Sequence, residues 1–377
     1  MRDPRYSVAL LDWLACAAGG RDEPAARAAR QLGDPVVLAG TSGHVLDFDD
    51  TYLPGIAHLS APTAPAALVV AAELGLTAGH ALEAFAEGFE AMAAVARASH
   101  PALYDNGWHP TAVCGGVGAA VAAAVLLDAP RDDAVAIALL RAGGLQAAFG
   151  SDGKSLQVGL AAGSGVAAAR LARAGARVSL DEAGAGFQQA TGGSYAEPGG
   201  RGGDPGAPLA IAENWIKAWP CCLQTHGAIE AADRLDGDAP ADLSVTAHPV
   251  SLQAAAYGPE PADGLQAKFS IPYLTAYTLR HGPPTVESFA RVDAAVAERA
   301  KSIEVDADAS LLESEFVLSG GGVELVRVTA ALGSPQQPMD AAALRAKVER
   351  LGGAELAGAL DELDRPAGDL LALAGIA

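Results

Sequence analysis

Residues 115–129 most constrain the fold of this 377-residue chain, because they read GGVGAAVAAAVLLDA. A segment composed almost wholly of Ala, Gly and Val is apolar on every side, so we expect a buried helix there. Its small side chains allow neighbouring helices to approach closely. Half of all residues are hydrophobic but only 5% are aromatic. Ala and Leu are strong helix formers, so this composition predicts a mainly α protein.

The composition changes from about Asp242 onward, where SVTAHPVSL and KSIEVDAD carry Val, Ile and Thr at strand-like spacing. FVLSG and VELVRVTAAL, joined by a glycine-rich turn, predict a hairpin. Helical periodicity returns at Met339. We therefore predict a mainly α fold with an α+β domain. Its large all-helical domain is built from both chain ends (1–212 and 338–377), and a smaller α/β lid domain (213–337) is inserted between them.

Three further segments are predicted to be continuous helices, at 132–149, 264–281 and 285–299. The many Gly and Pro residues of 192–208 predict instead a flexible loop or linker. These predictions set the approximate ends of the elements that carry the polar residues discussed below.

The net charge of -20 and the absence of a Lys/Arg-rich run argue against nucleic-acid binding. An anionic substrate would then need a local positive pocket. Four cysteines without CxxC spacing favour a reduced, cytoplasmic protein. The N-terminus lacks a signal-peptide core, and the apolar runs of 10 to 14 residues suit core helices better than membrane spans.

A polar cluster interrupts the apolar helices at residues 44–65, which read HVLDFDDTYLPGIAHLSAPTAP. Three carboxylates fall within four residues, and Thr51 and His58 follow. A solvated helix end with Asp and Thr caps would explain some of these residues. Acids, a hydroxyl and an imidazole gathered between buried helices are better explained by chemistry.

Three more segments place polar residues at the start of a helix or in a turn. His109 precedes the apolar helix, and helix N-termini bind anions through free backbone N–H groups. Lys154 lies in a glycine-bounded loop, where it is either a surface lysine or a site residue. Lys217, Cys222 and His226 surround a proline-containing turn.

These segments carry a resemblance to a known family. The pattern HxxDFDDT followed by HxSAP is similar to the signature of the MmgE/PrpD family, which includes 2-methylcitrate dehydratase, cis-aconitate decarboxylase and iminodisuccinate epimerase. Four other segments resemble family segments in the same order: GWHPTAVCGGVGAA, GKSLQVGLAAGSGVAAARLARAG, IKAWPCCLQTH and GLQAKFSIPYLTA. The resemblance implies a helical domain with an α/β lid, a homodimer, and a cleft lined by Asp47, Thr51, His58, His109, Lys154 and Lys217, with Tyr257 as a weaker match.

The sequence also departs from the family pattern. HLSAP replaces the commoner HPSAP, and the chain begins close to the second expected helix. Ala94 stands where the family usually has an arginine. These departures favour a substrate other than the tricarboxylate of the best-known members.

Family members abstract or replace a proton beside a carboxylate, which requires a positioned base and positive charge for the developing enediolate. The expected activity is a cofactor-free lyase, a dehydratase or decarboxylase of a small anionic acid. An isomerase or epimerase using the same proton abstraction is the alternative, and a repurposed, non-catalytic member is a third. Which residue is base and which is acid stays open. We assign catalytic roles to Asp47, His58, His109 and Lys154, and substrate binding to Thr51, Lys217, His226 and Tyr257.

No cofactor and no metal are expected, because the acids lack regular ligand spacing. Asp47, His58, His109, Lys154 and Lys217 are expected to converge in one cleft between the two domains. Asp47→Asn, His109→Ala and Lys154→Ala are each expected to lower turnover by about 10²- to 10⁴-fold and to leave the melting temperature nearly unchanged. His44 is expected to pack one turn before Asp47 and to serve stability more than chemistry.

Overall fold

The computed structural model describes residues 3–195, 208–237 and 239–377. Most of the predicted loop at 192–208, namely 196–207, lies outside the described residues. Contacts divide the chain into two compact units. The first comprises the described residues of Met1–Ala148, Asp152–Ile216 and Asp340–Ala377, and the second comprises those of Phe149–Ser151 and Lys217–Met339.

The described residues are mainly helical, as predicted. In chain order the α-helices are α1 (Arg5–Gly20), α2 (Pro24–Arg30), α3 (Pro35–His44), α4 (Ser60–Glu73), α5 (Ala78–Ser99), α6 (Ala102–Asp105), α7 (Pro110–Leu127), α8 (Arg131–Leu139), α9 (Gly153–Arg173), α10 (Leu180–Thr191), α11 (His226–Asp233), α12 (Pro249–Ala254), α13 (Gly264–Ala267), α14 (Ile271–His281), α15 (Ala294–Ala300), α16 (Ala341–Gly352), α17 (Ala354–Ala357) and α18 (Ala367–Leu373). The strands are β1 (Thr51–Tyr52), β2 (Asn214–Trp215), β3 (Leu243–Ala247), β4 (Ile303–Ala307), β5 (Phe316–Gly320) and β6 (Val323–Val328). Short 3-10 helices cover Leu53–Gly55, Gln146–Ala148, Ala210–Ala212, Leu223–Thr225 and Val286–Phe289.

Helix α7 is the centre of the first unit, where it packs against α4, α5 and α9. Glycines of α7 and α9 allow this close packing, because a larger side chain would collide with the neighbouring helix. A Cβ on Gly118 would lie 2.7 Å from the Met92 Cβ, and a Cβ on Gly165 of α9 would lie 2.4 Å from the Gly116 carbonyl oxygen. By length and composition α7 could span a membrane, but 89% of it is buried inside the structure. The buried, closely packed helix predicted at 115–129 is confirmed.

The first unit is not wholly helical, in contrast to the sequence prediction. Strands β1 and β2 form a two-residue antiparallel ladder in which Thr51 pairs with Trp215 and Tyr52 with Asn214. Such short strands leave no periodic pattern in the sequence, so only the tertiary pairing reveals them. The ladder fixes the chain directly after the three acids.

The second unit contains a four-stranded sheet of order β4-β3-β5-β6. Strand β3 runs parallel to β4 and antiparallel to β5. The predicted hairpin is confirmed as β5 and β6. Its turn residues Gly321 and Gly322 have φ values of 58° and 76°, a conformation that favours glycine at both positions.

Three predicted helices are shorter than expected. Helix α8 ends at Leu139 rather than at 149, and Gly144, whose φ is 132°, could not be part of a helix. The predicted helix at 264–281 is divided into α13 and α14 by Ser270, whose side chain caps α14. The predicted helix at 285–299 is likewise divided, and Asp293 caps α15. Capping side chains offer the backbone an alternative to a continuous helix.

Candidate active site

The loop after α3 delivers three buried carboxylates to the interior of the first unit. Asp47, Asp49 and Asp50 are at most 3% exposed. Asp47 has a φ of 54°, an uncommon left-handed conformation for a residue other than glycine. Its backbone N–H donates to the His44 carbonyl oxygen, which closes the turn at the end of α3. The three acids then find different partners.

Asp49 lies between two histidines. Its Oδ2 is 2.9 Å from His44 Nδ1 and 3.1 Å from His58 Nδ1. Burial alone would raise the pKa of Asp49, but the two imidazoles hold it well below its usual range. An ionised carboxylate only accepts hydrogen bonds, so His44 donates to it from Nδ1, whereas His58 Nδ1 faces the same oxygen as an ion-pair contact. Burial lowers the pKa of His44, which favours a neutral ring.

Asp47 lies on the Nε2 side of His58, opposite Asp49, and pairs with Lys154. Lys154 Nζ lies 2.9 Å from Asp47 Oδ1, and His58 Nε2 lies 3.8 Å from the same oxygen. Lys154 stands at the start of α9 and is 8% exposed, so it is not a surface lysine. The four ionisable groups Asp49, His58, Asp47 and Lys154 therefore form one buried array.

His109 is held in one tautomer by Gln157. The Gln157 Oε1 accepts from the Leu145 N–H at 3.0 Å, which orients the amide, and its Nε2 lies 2.6 Å from His109 Nδ1. The amide nitrogen donates, so His109 Nδ1 accepts and the ring proton is on Nε2. Burial, assisted by the nearby Lys154, holds the pKa of His109 well below its usual range. Burial thus favours the neutral imidazole of His109, with its proton on Nε2.

The backbone N–H groups of His109 and His58 are both hydrogen-bonded. The His109 N–H donates to the Gly144 carbonyl oxygen at 3.0 Å. The His58 N–H donates to Thr111 Oγ1 at 3.1 Å. The rings of His44 and His109 are stacked with centroids 6.0 Å apart, and those of His44 and His58 are 4.5 Å apart. The structure therefore brings together the predicted Asp47, His58, His109 and Lys154.

Asp50 has a structural role that the other two acids lack. It accepts from Ser60 N–H at 3.2 Å, from Ser60 Oγ at 2.7 Å and from Asn214 Nδ2 at 2.7 Å. It joins the start of α4 to β2. Burial raises the pKa of Asp50 to about 7.

The predicted substrate-binding residues lie in both units. Thr51 is buried in β1, and its Oγ1 has no hydrogen-bond partner among the described residues. Lys217 and His226 are fully buried in the second unit. Tyr257, also in the second unit, donates its hydroxyl to the Phe149 carbonyl oxygen at 3.0 Å. The convergence of Lys217 with the cluster around His58 stays a prediction.

His44, Asp49 and His58 are also ligand types that bind metals, and their nearest ligand atoms lie within 4.8 Å of one another. Four-coordinate zinc with bonds of about 2.0–2.2 Å keeps its ligand atoms roughly 3.3–3.6 Å apart. The observed 2.9 and 3.1 Å are shorter than that and match hydrogen bonds. The His44–Asp49 contact is a hydrogen bond, and the absence of a metal from this cluster stays a prediction.

Sequence reasoning missed three members of this cluster. It assigned His44 to packing, yet His44 shares the Asp49 carboxylate with His58. It counted Asp49 among the acids without a role, and it passed over Gln157. The HxxDFD spacing was the available signal, because His44 ends α3 and Asp49 follows five residues later. No sequence signal marked Gln157.

The chain matches both domains of a known protein family. Residues 33–195 match the MmgE/PrpD N-terminal domain, and residues 219–363 match the MmgE/PrpD C-terminal domain. The chain is 29% identical to a cis-aconitate decarboxylase of Aspergillus terreus over 295 residues, covering 69% of this chain. It spans 60% of the length of that relative. With both family domains matched in order, together over most of its length, this chain is a member of the MmgE/PrpD family.

Proposed function

We propose that this chain is a cofactor-free lyase that acts on a small polycarboxylate, as a dehydratase or a decarboxylase. The observation that carries the proposal is the position of His58, with Asp49 at its Nδ1 and the Asp47–Lys154 pair near its Nε2. The similarity to a decarboxylase supports a lyase. Catalytic roles for Asp47, His58, His109 and Lys154 belong to this proposal.

His58 is the proposed general base. Donation of its Nδ1–H to Asp49 leaves a lone pair on Nε2, which can take a proton from carbon. The ionised Asp49 then stabilises the imidazolium that forms. A histidine oriented by a carboxylate is a common arrangement for proton transfer near neutral pH.

His109 is the proposed hydrogen-bond donor. Its Nε2 carries the proton because Gln157 occupies Nδ1. A neutral imidazole can donate this N–H to a departing hydroxyl or to a carboxylate oxygen on which charge develops. Two histidines with opposite tautomers thus provide an acceptor and a donor.

Lys154 is the proposed electrostatic group. An ammonium in a buried site stabilises an enediolate more than it would in water, because the local dielectric is low. Without substrate, Asp47 neutralises it at 2.9 Å. A substrate carboxylate would compete with Asp47 for this cation and explain how an acidic protein holds an anion.

The same array serves three related reactions. In dehydration, His58 removes a C–H proton and, as the imidazolium, returns a proton to the hydroxyl, which leaves as water while His109 donates a hydrogen bond to the developing enediolate. In decarboxylation, the C–C bond electrons pass into the conjugated acid, and a protonated histidine returns a proton to carbon. In epimerisation, the alternative function, the proton returns to the opposite face and nothing leaves. Lys217, His226 and Tyr257 remain proposed substrate-binding residues of the second unit.

The test is a panel of small di- and tricarboxylic acids incubated with the protein in heavy water and followed by proton NMR. Loss of substrate with a new alkene signal, or release of labelled carbon dioxide, supports the lyase. Deuterium incorporation with inverted stereochemistry and no net loss supports the epimerase instead. His58→Gln, which lacks the proposed base, is the negative control. Silence of the folded wild-type protein across the panel would overturn catalysis and favour a repurposed member.

A further inference from the structure

We propose that Lys347, in the C-terminal helix α16, is a positioning residue for the candidate active site. It acts through the backbone of Phe48, from which it is separated by 299 positions in the chain. The catalytic part of this inference rests on the proposed function, whereas its structural part can be tested without any substrate.

The Lys347 ammonium makes three contacts around the acid-bearing loop. Its Nζ lies 2.6 Å from Asp12 Oδ1 of α1 and donates to the Phe48 carbonyl oxygen at 2.8 Å. It also lies 3.8 Å from the centroid of the Phe48 ring. Lys347 is 4% exposed and Asp12 is fully buried. The ion pair with Asp12, the hydrogen bond to the Phe48 carbonyl and the cation–π contact with its ring together hold Phe48 in position.

Packing of α16 against α1 does not by itself require this ion pair. Apolar side chains of similar volume commonly replace a buried ion pair with no loss of stability, because burial removes both charges from water. The lysine contributes what an apolar residue cannot, namely a hydrogen bond to a carbonyl of the site loop. Its directional contacts therefore point to positioning rather than to packing alone.

A hydrogen bond to the Phe48 carbonyl can position both neighbouring aspartates of the site. Asp47 and Asp49 flank Phe48, and each carries its carboxylate to a different side of His58. Asp47 also adopts the left-handed conformation, which requires support from its surroundings. If the Phe48–Asp49 peptide rotated, the Asp49 carboxylate would move away from the two Nδ1 atoms. Displacements of about 1 Å in a catalytic array can lower rates on the order of 100-fold.

The experiment compares Lys347→Met, Lys347→Arg and Val348→Ala. Methionine keeps the length of the side chain but neither its charge nor its donors, whereas arginine keeps both. Val348 is the next residue of α16 and is fully buried, so its truncation loosens the same helix and keeps the Lys347 hydrogen bond to Phe48. Nitrogen-15 histidine NMR reports the Nδ1–H resonances of His44 and His58, both of which depend on Asp49.

We expect Lys347→Met to shift or broaden both Nδ1–H resonances, and Lys347→Arg and Val348→Ala to leave them close to wild type. With an acid that the panel identifies, Lys347→Met should lower kcat by about tenfold or more with little change in KM, and arginine should restore most of it. Wild-type resonances in Lys347→Met would overturn the proposal. If the panel finds no substrate, the resonances still decide it.

A second variant covers the case in which Lys347→Met fails to fold with Asp12 left unpaired. The double variant Asp12→Leu/Lys347→Met replaces the ion pair by an apolar pair and still lacks the bond to Phe48. Displaced histidine resonances in this folded protein support positioning. Wild-type resonances and turnover would show that the pair serves packing only.

Discussion

Asp49 and His58 form a buried pair in which the carboxylate Oδ2 lies 3.1 Å from the imidazole Nδ1. Because the two imidazoles keep the pKa of Asp49 well below its usual range, the carboxylate stays ionised and orients the ring. His58 Nε2 lies on the opposite side of the ring, 3.8 Å from Asp47 Oδ1. In the proposed mechanism this relationship leaves Nε2 as the nitrogen that takes the proton.

Replacement of Asp49 by Asn should therefore lower turnover by about 10²- to 10⁴-fold. An amide can donate to Nδ1 and move the ring proton to Nε2, which removes the base. The measurement is kcat/KM across pH on the acid that the panel identifies. Asp181→Asn, at an exposed position of α10, is the matched control. Equal activity of the two variants would remove Asp49 from the mechanism.

The Asp47–Lys154 pair should contribute to stability as well as to chemistry. The sequence alone predicted an unchanged melting temperature, but both side chains are buried. Lys154→Met leaves Asp47 without this cation, and breaking a buried pair from one side costs about 3–5 kcal/mol. The double variant Asp47→Asn/Lys154→Met should recover part of that loss in urea unfolding while staying inactive. A Lys154→Met protein as stable as wild type would contradict this.

His109 should make the protein less stable in acid. Its pKa is held well below 6.5 in the folded state by burial and by Lys154, whereas the unfolded histidine protonates near 6.5. The unfolded state then binds more protons below pH 6.5, so the free energy of unfolding falls as pH drops, by about 1.4 kcal/mol per pH unit for one histidine. His109→Gln should reduce the slope between pH 6.5 and 5.5, and the exposed His80→Gln should not. Identical slopes would show that His109 titrates normally.

Activity should survive exhaustive chelation. The contacts among His44, Asp49 and His58 have hydrogen-bond lengths, shorter than the spacing that a shared zinc ion imposes. The assay compares turnover before and after dialysis against a chelator. Loss of activity that zinc or magnesium restores would make these three residues metal ligands, and Asp49→Asn should then abolish the restoration.

Much of the fold follows from local sequence pattern. The Ala- and Gly-rich helices, the hairpin of β5 and β6 and the mainly α character were readable because periodicity and turn chemistry act over a few residues. Predicted helix ends were less reliable. Gly144 and Ser270 interrupt helices for reasons of tertiary contact and capping that composition does not reveal.

By itself, the sequence determined which chemical groups this protein has available: three clustered acids, two histidines at helix mouths and a lysine at the start of α9. Only the tertiary structure decided how they are paired. Asp49 contacts both His44 and His58. Asp47 forms an ion pair with Lys154, and Asp50 accepts a hydrogen bond from Ser60. Adjacent acids acquire different roles because each meets different partners from other segments of the chain. Partners such as Gln157 and Lys347 come from distant segments, where no local pattern can indicate a contact.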